Sequence, residues 1–86
     1  MVEKLFVVKN ETGLHARPAS LFVQKAAKYK STIKVKKDGK EANAKSIISV
    51  LSLGASFGSE ITIIADGPDA EEAVAGLVEL LDNLEE

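Results

Sequence analysis

The hydrophobic pattern of this chain changes its period several times, from two residues to about 3.6 and back, with no low-complexity linker and no internal repeat. Alternation of apolar and polar residues predicts half-buried strands, and apolar residues at i, i+3, i+4 and i+7 predict amphipathic helices. The pattern gives the order strand, helix, strand, strand, helix, strand, helix. Because an amphipathic sheet face must be covered, we expect one α+β domain over residues 1–86, with three helices on one face of a four-stranded sheet and the other face solvated.

Four segments carry the strand pattern, and they cover residues 2–9, 32–36, 40–44 and 60–65. Between the second and third strands, Asp38 and Gly39 supply the two residues with positive φ that a tight hairpin requires. In the last strand, Ile61 and Ile63 lie on one side of the sheet, as strict alternation demands.

Three segments carry the helix pattern, residues 16–29, residues 46–53 and a C-terminal segment that begins near residue 70. The first has an apolar stripe formed by Ala19, Phe22, Val23 and Ala26. For the last helix, Asp69 is the expected N-cap and Glu72 completes a capping box. Its expected buried stripe consists of Ala70, Ala73, Val74, Leu77, Leu81 and Leu84.

The short middle helix is apolar around most of its circumference. Its apolar residues are Ile47, Ile48, Val50, Leu51 and Leu53. One packed face does not need so many, so some should remain exposed. Exposed apolar side chains next to a reactive site favour a protein docking surface, although single exposed apolar residues are common and leave the plainer interpretation open.

The only histidine of the chain, His15, stands where the first helix is expected to begin. An anion attached to its ring would meet the free N–H groups and the positive end of the helix dipole. Arg17 adds a guanidinium that matches phosphate oxygens bidentately. A lone His is more often a surface or capping residue, and Gly13 and Pro18 are explained equally well by an ordinary turn and helix start.

Composition excludes several other classes of function. With 11 basic and 13 acidic side chains, the formal net charge is −2, which does not suggest a nucleic-acid surface. Cysteine is absent, so neither a disulfide nor a Cys-based nucleophile or zinc site is expected. We find no metal-ligand cluster, Gly-rich phosphate loop or nucleophile triad, and we therefore expect no cofactor and no independent catalysis. No apolar run approaches the ~20 residues of a membrane span, and residues 2–9 are too charged for a secretory signal, which fits a cytoplasmic protein without membrane insertion.

Three stretches of the chain resemble those of the HPr family, the histidine-containing phosphocarriers of the bacterial phosphoenolpyruvate-dependent sugar phosphotransferase system. The run Gly13-Leu14-His15-Ala16-Arg17-Pro18-Ala19 is similar to the family's active-site signature. Residues 45–54 resemble its second helix, and residues 58–63 resemble the entry to its last strand. The resemblance implies an open-faced β-sandwich with an antiparallel sheet, and it covers essentially the whole chain.

The resemblance also implies roles for residues. His15 would accept the phosphoryl group on its pros nitrogen, Nδ1, from Enzyme I and pass it to IIA domains of sugar permeases. Arg17 and the backbone N–H groups of Ala16 and Arg17 would bind the phosphate. The residues expected to contact partners are Thr12, Ala16, Ser20, Ile47, Ile48 and Leu51. A carrier of this kind is not an enzyme, and a monomer is the simpler expectation.

Ser46 has two interpretations. As an N-cap, its hydroxyl would accept a hydrogen bond from an early N–H of the middle helix, which is sufficient reason for a serine there. In Gram-positive members of the family, the corresponding serine is phosphorylated by HPr kinase/phosphorylase, and the product serves as corepressor of a catabolite-control transcription regulator. Related regulatory sequences commonly read Ser-Ile-Met-Gly, whereas Ile48 and Ser49 stand here. The alternative function is thus a purely regulatory module that acts through phospho-Ser46.

Overall fold

The chain folds in the predicted order of elements. The computed structural model describes residues 1–84. Its elements are β1 (Val2–Val7), α1 (Ala16–Ala26), β2 (Thr32–Lys37), β3 (Lys40–Asn43), α2 (Ile47–Ser52), β4 (Glu60–Asp66) and α3 (Ala70–Asp82).

The four strands of residues 1–84 form one sheet in the order β1-β4-β2-β3, and each neighbouring pair is antiparallel. The antiparallel open-faced sandwich that the resemblance implied is therefore confirmed. In the central strand β4, Ile61 and Ile63 face the helices and are fully buried. Leu5 and Val7 of the edge strand β1 lie on the open face and are exposed.

The core lies between the sheet and the helices. Phe22 of α1 is fully buried in this core, and α1 packs against both α2 and α3. The stripe predicted for α3 is buried from Ala70 to Leu81, and Leu84 packs partly against the core beyond the end of the helix. Among the helices of the described residues, none has the length and apolar character needed to span a lipid bilayer.

The hairpin between β2 and β3 has the predicted turn, because Asp38 and Gly39 adopt φ values of 51° and 82°. The ends of β2, β3 and β4 and both ends of α2 differ from the sequence prediction by one residue, and two other element ends differ by more. β1 ends at Val7 rather than Lys9, since Val8 bonds to the loop before β4, donating to the Ser59 carbonyl at 2.9 Å. Helix α1 ends at Ala26 rather than near Tyr29, because the amide of Tyr29 bonds only three residues back, to Ala26.

The capping box predicted for α3 is wrong. Asp69 occupies the N-cap position but makes no side-chain capping bond, and Glu72 is exposed. The carboxylate of Asp69 instead accepts hydrogen bonds from the amides of Lys30 and Ser31, at 2.8 and 2.9 Å, and from the Ser31 hydroxyl. These bonds lower the pKa of Asp69, the Ser31 hydroxyl contributing most. Because an ionised carboxylate satisfies two amides at once, the tertiary contact replaces the local cap.

Candidate functional site

His15 is the N-cap residue of α1, as the sequence predicted. Its backbone is extended, with φ −89° and ψ −169°, and its carbonyl accepts the first helical bond from Ala19 at 2.8 Å. The imidazole is exposed and makes no capping bond to the helix. The backbone of His15 therefore begins the helix, while its ring is exposed to solvent.

The first turn of α1 presents donors to the same region. Ala16 and Arg17 are the first two helical residues, so their N–H groups have no acceptor within the helix. Pro18 follows, and it brings no N–H that would need a partner. Within residues 1–84 the exposed Arg17 pairs with no carboxylate, so its guanidinium is available to an anion. This combination of helix terminus and guanidinium suits a group with several anionic oxygens.

The loop before His15 is fixed against a second loop, which leads into β4. Gly13 has φ +65°, and a Cβ there would lie 2.6 Å from the Cα of Ser56. The next residue, Leu14, donates its amide to the Ala55 carbonyl at 2.9 Å and is 3% exposed. A residue with a side chain would therefore clash at position 13, and the chain enters α1 from an anchored point.

Asn10 stabilises the same loop through hydrogen bonds of its own side chain and backbone. The sequence analysis assigned no role to this residue. The residue is buried, and its Nδ2 donates to the Gly13 carbonyl at 2.6 Å and to Thr12 Oγ1 at 3.4 Å. The Gly13 amide returns a bond to the Asn10 carbonyl at 3.1 Å. An Asn three residues before a Gly is a signal for such a turn, because Asn side chains bond to nearby backbone.

Ser46 is the N-cap residue of α2, and its Oγ accepts a bond from the Ser49 amide at 3.4 Å. The predicted N-cap is thus confirmed. Val50 and Leu53 are buried. The apolar residues that remain exposed are Ile47 at 37%, Ile48 at 78% and Leu51 at 39%. The exposure expected for this helix is confirmed, while contact with a partner stays a prediction.

The other residues predicted to contact partners lie on or just before α1. Thr12 and Ala16 are exposed, and Ser20 is half-buried with its Oγ accepting a bond from Gln24. The exposed apolar residues that the sequence analysis did not name include Leu21 at 42% and Phe57 at 64%. Leu21 lies outside the apolar stripe of α1, so its exposure could have been predicted from the sequence. The exposure of Phe57 depends on the conformation of the loop before β4, which contacts Gly13, and could not be predicted in this way.

Among residues 1–84 there is no group of three or more His, Cys, Asp or Glu side chains that could hold a metal ion. The site itself consists of an exposed imidazole at the start of α1, followed by the free N–H groups of Ala16 and Arg17. An open-faced antiparallel sandwich with an exposed histidine at the start of its first helix is the arrangement that the resemblance to the HPr family implied.

Comparison with known proteins identifies the family. Residues 2–83 match the family model described as the PTS HPr component phosphorylation site. The HPr-like protein Crh of Halalkalibacterium halodurans is 50% identical over 82 residues, covering 95% of this chain and 98% of the relative. The chain belongs to the HPr family, whose members are phosphocarriers rather than enzymes.

Solved structures agree with this assignment. The crystal structure of HPr-C-His from Thermoanaerobacter tengcongensis superposes with a TM-score of 0.93 at 52% identity, covering 95% of this chain and 92% of the other. The phosphocarrier protein HPr of Bacillus anthracis str. Ames gives 0.89 at 48% identity, covering 92% and 94%. A second Thermoanaerobacter structure, described as an HPr dimer, matches with a TM-score of 0.77 over 95% of this chain and 94% of that one.

Proposed function

We propose that this chain is a phosphocarrier of a phosphoenolpyruvate-dependent sugar phosphotransferase system. His15 accepts a phosphoryl group from phospho-Enzyme I and passes it to IIA domains of sugar permeases. The observation that carries the proposal is the exposed imidazole at the N-cap of α1, followed by the N–H groups of Ala16 and Arg17 and by the Arg17 guanidinium, which pairs with no carboxylate of residues 1–84. Related structures named HPr and phosphocarrier protein HPr support it.

The transfer is a displacement at phosphorus. The lone pair on Nδ1 of neutral His15 forms the new P–N bond, with the ring proton on Nε2, while the bond between phosphorus and the donor's nitrogen breaks and its electron pair returns to the donor. Ala16 and Arg17 donate backbone N–H bonds to the phosphoryl oxygens, and the guanidinium balances their charge. A docked partner excludes water, so catalysis of the step consists mainly of positioning and electrostatics.

Docking uses the neighbouring surfaces of α1 and α2. These two helices pack against each other, so their exposed side chains belong to adjoining parts of the surface. Ile47, Ile48 and Leu51 supply its apolar part. Thr12, Ala16 and Ser20 supply its part nearest to His15. An apolar centre bordered by polar groups is the usual composition of such an interface.

The first experiment is intact-protein mass spectrometry after incubation with phosphoenolpyruvate, Mg²⁺ and purified Enzyme I. Wild type should gain one acid-labile phosphate, and His15→Ala should gain none. Arg17→Ala should be phosphorylated at least about tenfold more slowly while remaining folded, because one charge-assisted contact to the phosphoryl group is lost. Absence of phosphate on wild type, with an Enzyme I active on another carrier, would refute the proposal.

A second function is favoured by Ser46 and by the relatives named Crh, one of which is described as the Bacillus subtilis catabolite repression protein. Here HPr kinase/phosphorylase modifies Ser46, and the phosphoprotein binds a catabolite-control transcription regulator. Ser46 is partly exposed and caps α2, so its modification would place charge beside Ile47 and Ile48. Purified kinase with ATP should label wild type and not Ser46→Ala. If the kinase does not label wild type, the regulatory role of Ser46 is refuted.

We also propose that the carrier works as a monomer in the cytoplasm, because a relay protein must present His15 to several partners in turn. The dimer described for the Thermoanaerobacter relative is the alternative. Native mass spectrometry between micromolar and millimolar concentrations should give one species with the mass of a single chain, and a persistent dimer would contradict the proposal.

A further inference from the structure

We infer that Asn10 is a positioning residue for His15. Its side-chain amide fixes the loop of residues 10–14 and thereby sets where the imidazole stands when a partner delivers the phosphoryl group. The inference rests on the proposed function and adds to it a residue that lies outside the signature around His15.

The burial of Asn10 is the first reason. Asn10 is 6% exposed, and the only other buried polar residue within residues 1–84 is Ser31. A buried amide is costly unless its hydrogen bonds are made, so an Asn at this position favours the one loop geometry that satisfies it. The group that meets the Gly13 carbonyl at 2.6 Å must be the NH₂, because a carbonyl oxygen only accepts.

A continuous set of contacts leads from Asn10 to His15. Asn10 holds both the carbonyl and the amide of Gly13, and Gly13 lies against Ser56 with no room for a Cβ. Leu14 is then fixed by its bond to the Ala55 carbonyl and by burial. The next residue is His15 itself. Loss of the Asn10 side-chain amide would leave the Gly13 carbonyl without that donor and would remove one of the bonds that hold the chain between Asn10 and Leu14.

Such a change should affect transfer more than docking. The exposed apolar residues of α2 lie on another element, so the part of the affinity for a partner that they supply should persist. The rate within the complex depends on the distance and angle between Nδ1 and phosphorus, where a displacement near 1 Å can cost up to about 100-fold. We expect about a tenfold lower kcat for Asn10→Ala, with KM for the carrier changed less than about twofold.

The experiment compares Asn10→Ala and Asn10→Asp with Asn83→Ala in transfer from phospho-Enzyme I. Asn10→Asp keeps the shape of the side chain but replaces the donor with a carboxylate that repels the Gly13 carbonyl. Asn83→Ala is the matched control, because Asn83 also donates its side-chain amide to a backbone carbonyl, that of Glu79 at 2.9 Å, at the end of α3. Amide hydrogen exchange at Leu14 provides a second readout, and it should accelerate in both Asn10 variants and not in the control.

Each outcome distinguishes the inference from the proposed function. A lower kcat with faster exchange at Leu14, in Asn10 variants alone, supports the inference. An unchanged kcat in both Asn10 variants, an equal loss in Asn83→Ala, or an effect on KM alone overturns it while the carrier function stands. If wild type itself accepts no phosphate, the proposed function fails and the inference fails with it.

Discussion

At the scale of single residues, the proposed site combines one side chain, His15, with several neighbours that hold the backbone around it. In the proposed function His15 contributes the reactive ring, and Gly13, Leu14 and Asn10 hold the chain that leads into it. Gly13, Leu14 and Asn10 act through backbone contacts and burial. Their effects should therefore be visible in stability as well as in transfer.

Gly13→Ala should destabilise the fold by about 2–4 kcal/mol. Alanine is strained at φ +65°, and its Cβ would meet the backbone of Ala55 and Ser56, which cannot move cheaply. Gly54→Ala is the matched control, since Gly54 has φ +64° with no atom within 4 Å of a Cβ, and it should cost only about 1–2 kcal/mol. Urea unfolding measures both, and equal losses would contradict a role for the contact with the second loop.

Asp69 connects the loop after α1 to the start of α3, and it makes stability depend on pH. Because its folded-state pKa is lowered, the carboxylate stabilises the fold above the unfolded value of about 3.9. This contribution is lost as the pH falls through the lowered pKa. Asp69→Asn should thus be less stable than wild type at pH 7, and the two should converge towards pH 2.

Thermal unfolding from pH 7 to pH 2 measures this effect. Asp82→Asn is the control, because Asp82 forms an exposed ion pair with Lys9 that should contribute little. A difference between wild type and Asp69→Asn that stayed constant down to pH 2 would exclude the ionised carboxylate as its cause.

At the scale of elements, α2 is the helix that packing explains least. Its six residues bury Val50 but leave three large apolar side chains exposed. Apolar residues are also exposed on α1 and β1, namely Leu21, Leu5 and Val7. In α2, however, three apolar residues are exposed and one is buried, and this proportion is the reason why the proposed function assigns docking to α2.

Ile48→Glu should raise the KM for transfer from phospho-Enzyme I about tenfold and change the free energy of unfolding by less than about 0.5 kcal/mol. Ile48 is 78% exposed, so the substitution removes apolar contact with a partner and little of the core. Leu5→Glu is the matched control on the open sheet face, where Leu5 is 58% exposed, and its KM should not change. If Ile48→Glu has the same KM as Leu5→Glu and wild type, α2 is not part of the docking surface.

At the scale of the whole molecule, one sheet and its helices enclose a single core within a Cα radius of gyration of 11.2 Å. Central strand β4 pairs with both β1 and β2, so it unites the N-terminal strand with the hairpin. The domain should consequently unfold as one cooperative unit.

Ile63→Ala should cost about 3 kcal/mol, because Ile63 is fully buried and a cavity would remain. Ile64→Ala changes the adjacent residue on the open face, where burial is partial, and it should cost less than half as much. Unfolding followed by far-UV circular dichroism and by Tyr29 fluorescence should coincide in both variants. Separate transitions would contradict a single cooperative core.

Local patterns in the sequence were sufficient to predict the order of elements, the Asp38-Gly39 turn, the place of His15 at a helix start and the excess of apolar surface on α2. These features depend on local periodicity and turn chemistry, which neighbouring residues specify. Only the tertiary structure decided the strand order and the partner of Asp69, 38 residues away at Ser31. It also decided the burial of Asn10, because long-range packing brings together groups whose distance along the chain carries no local signal.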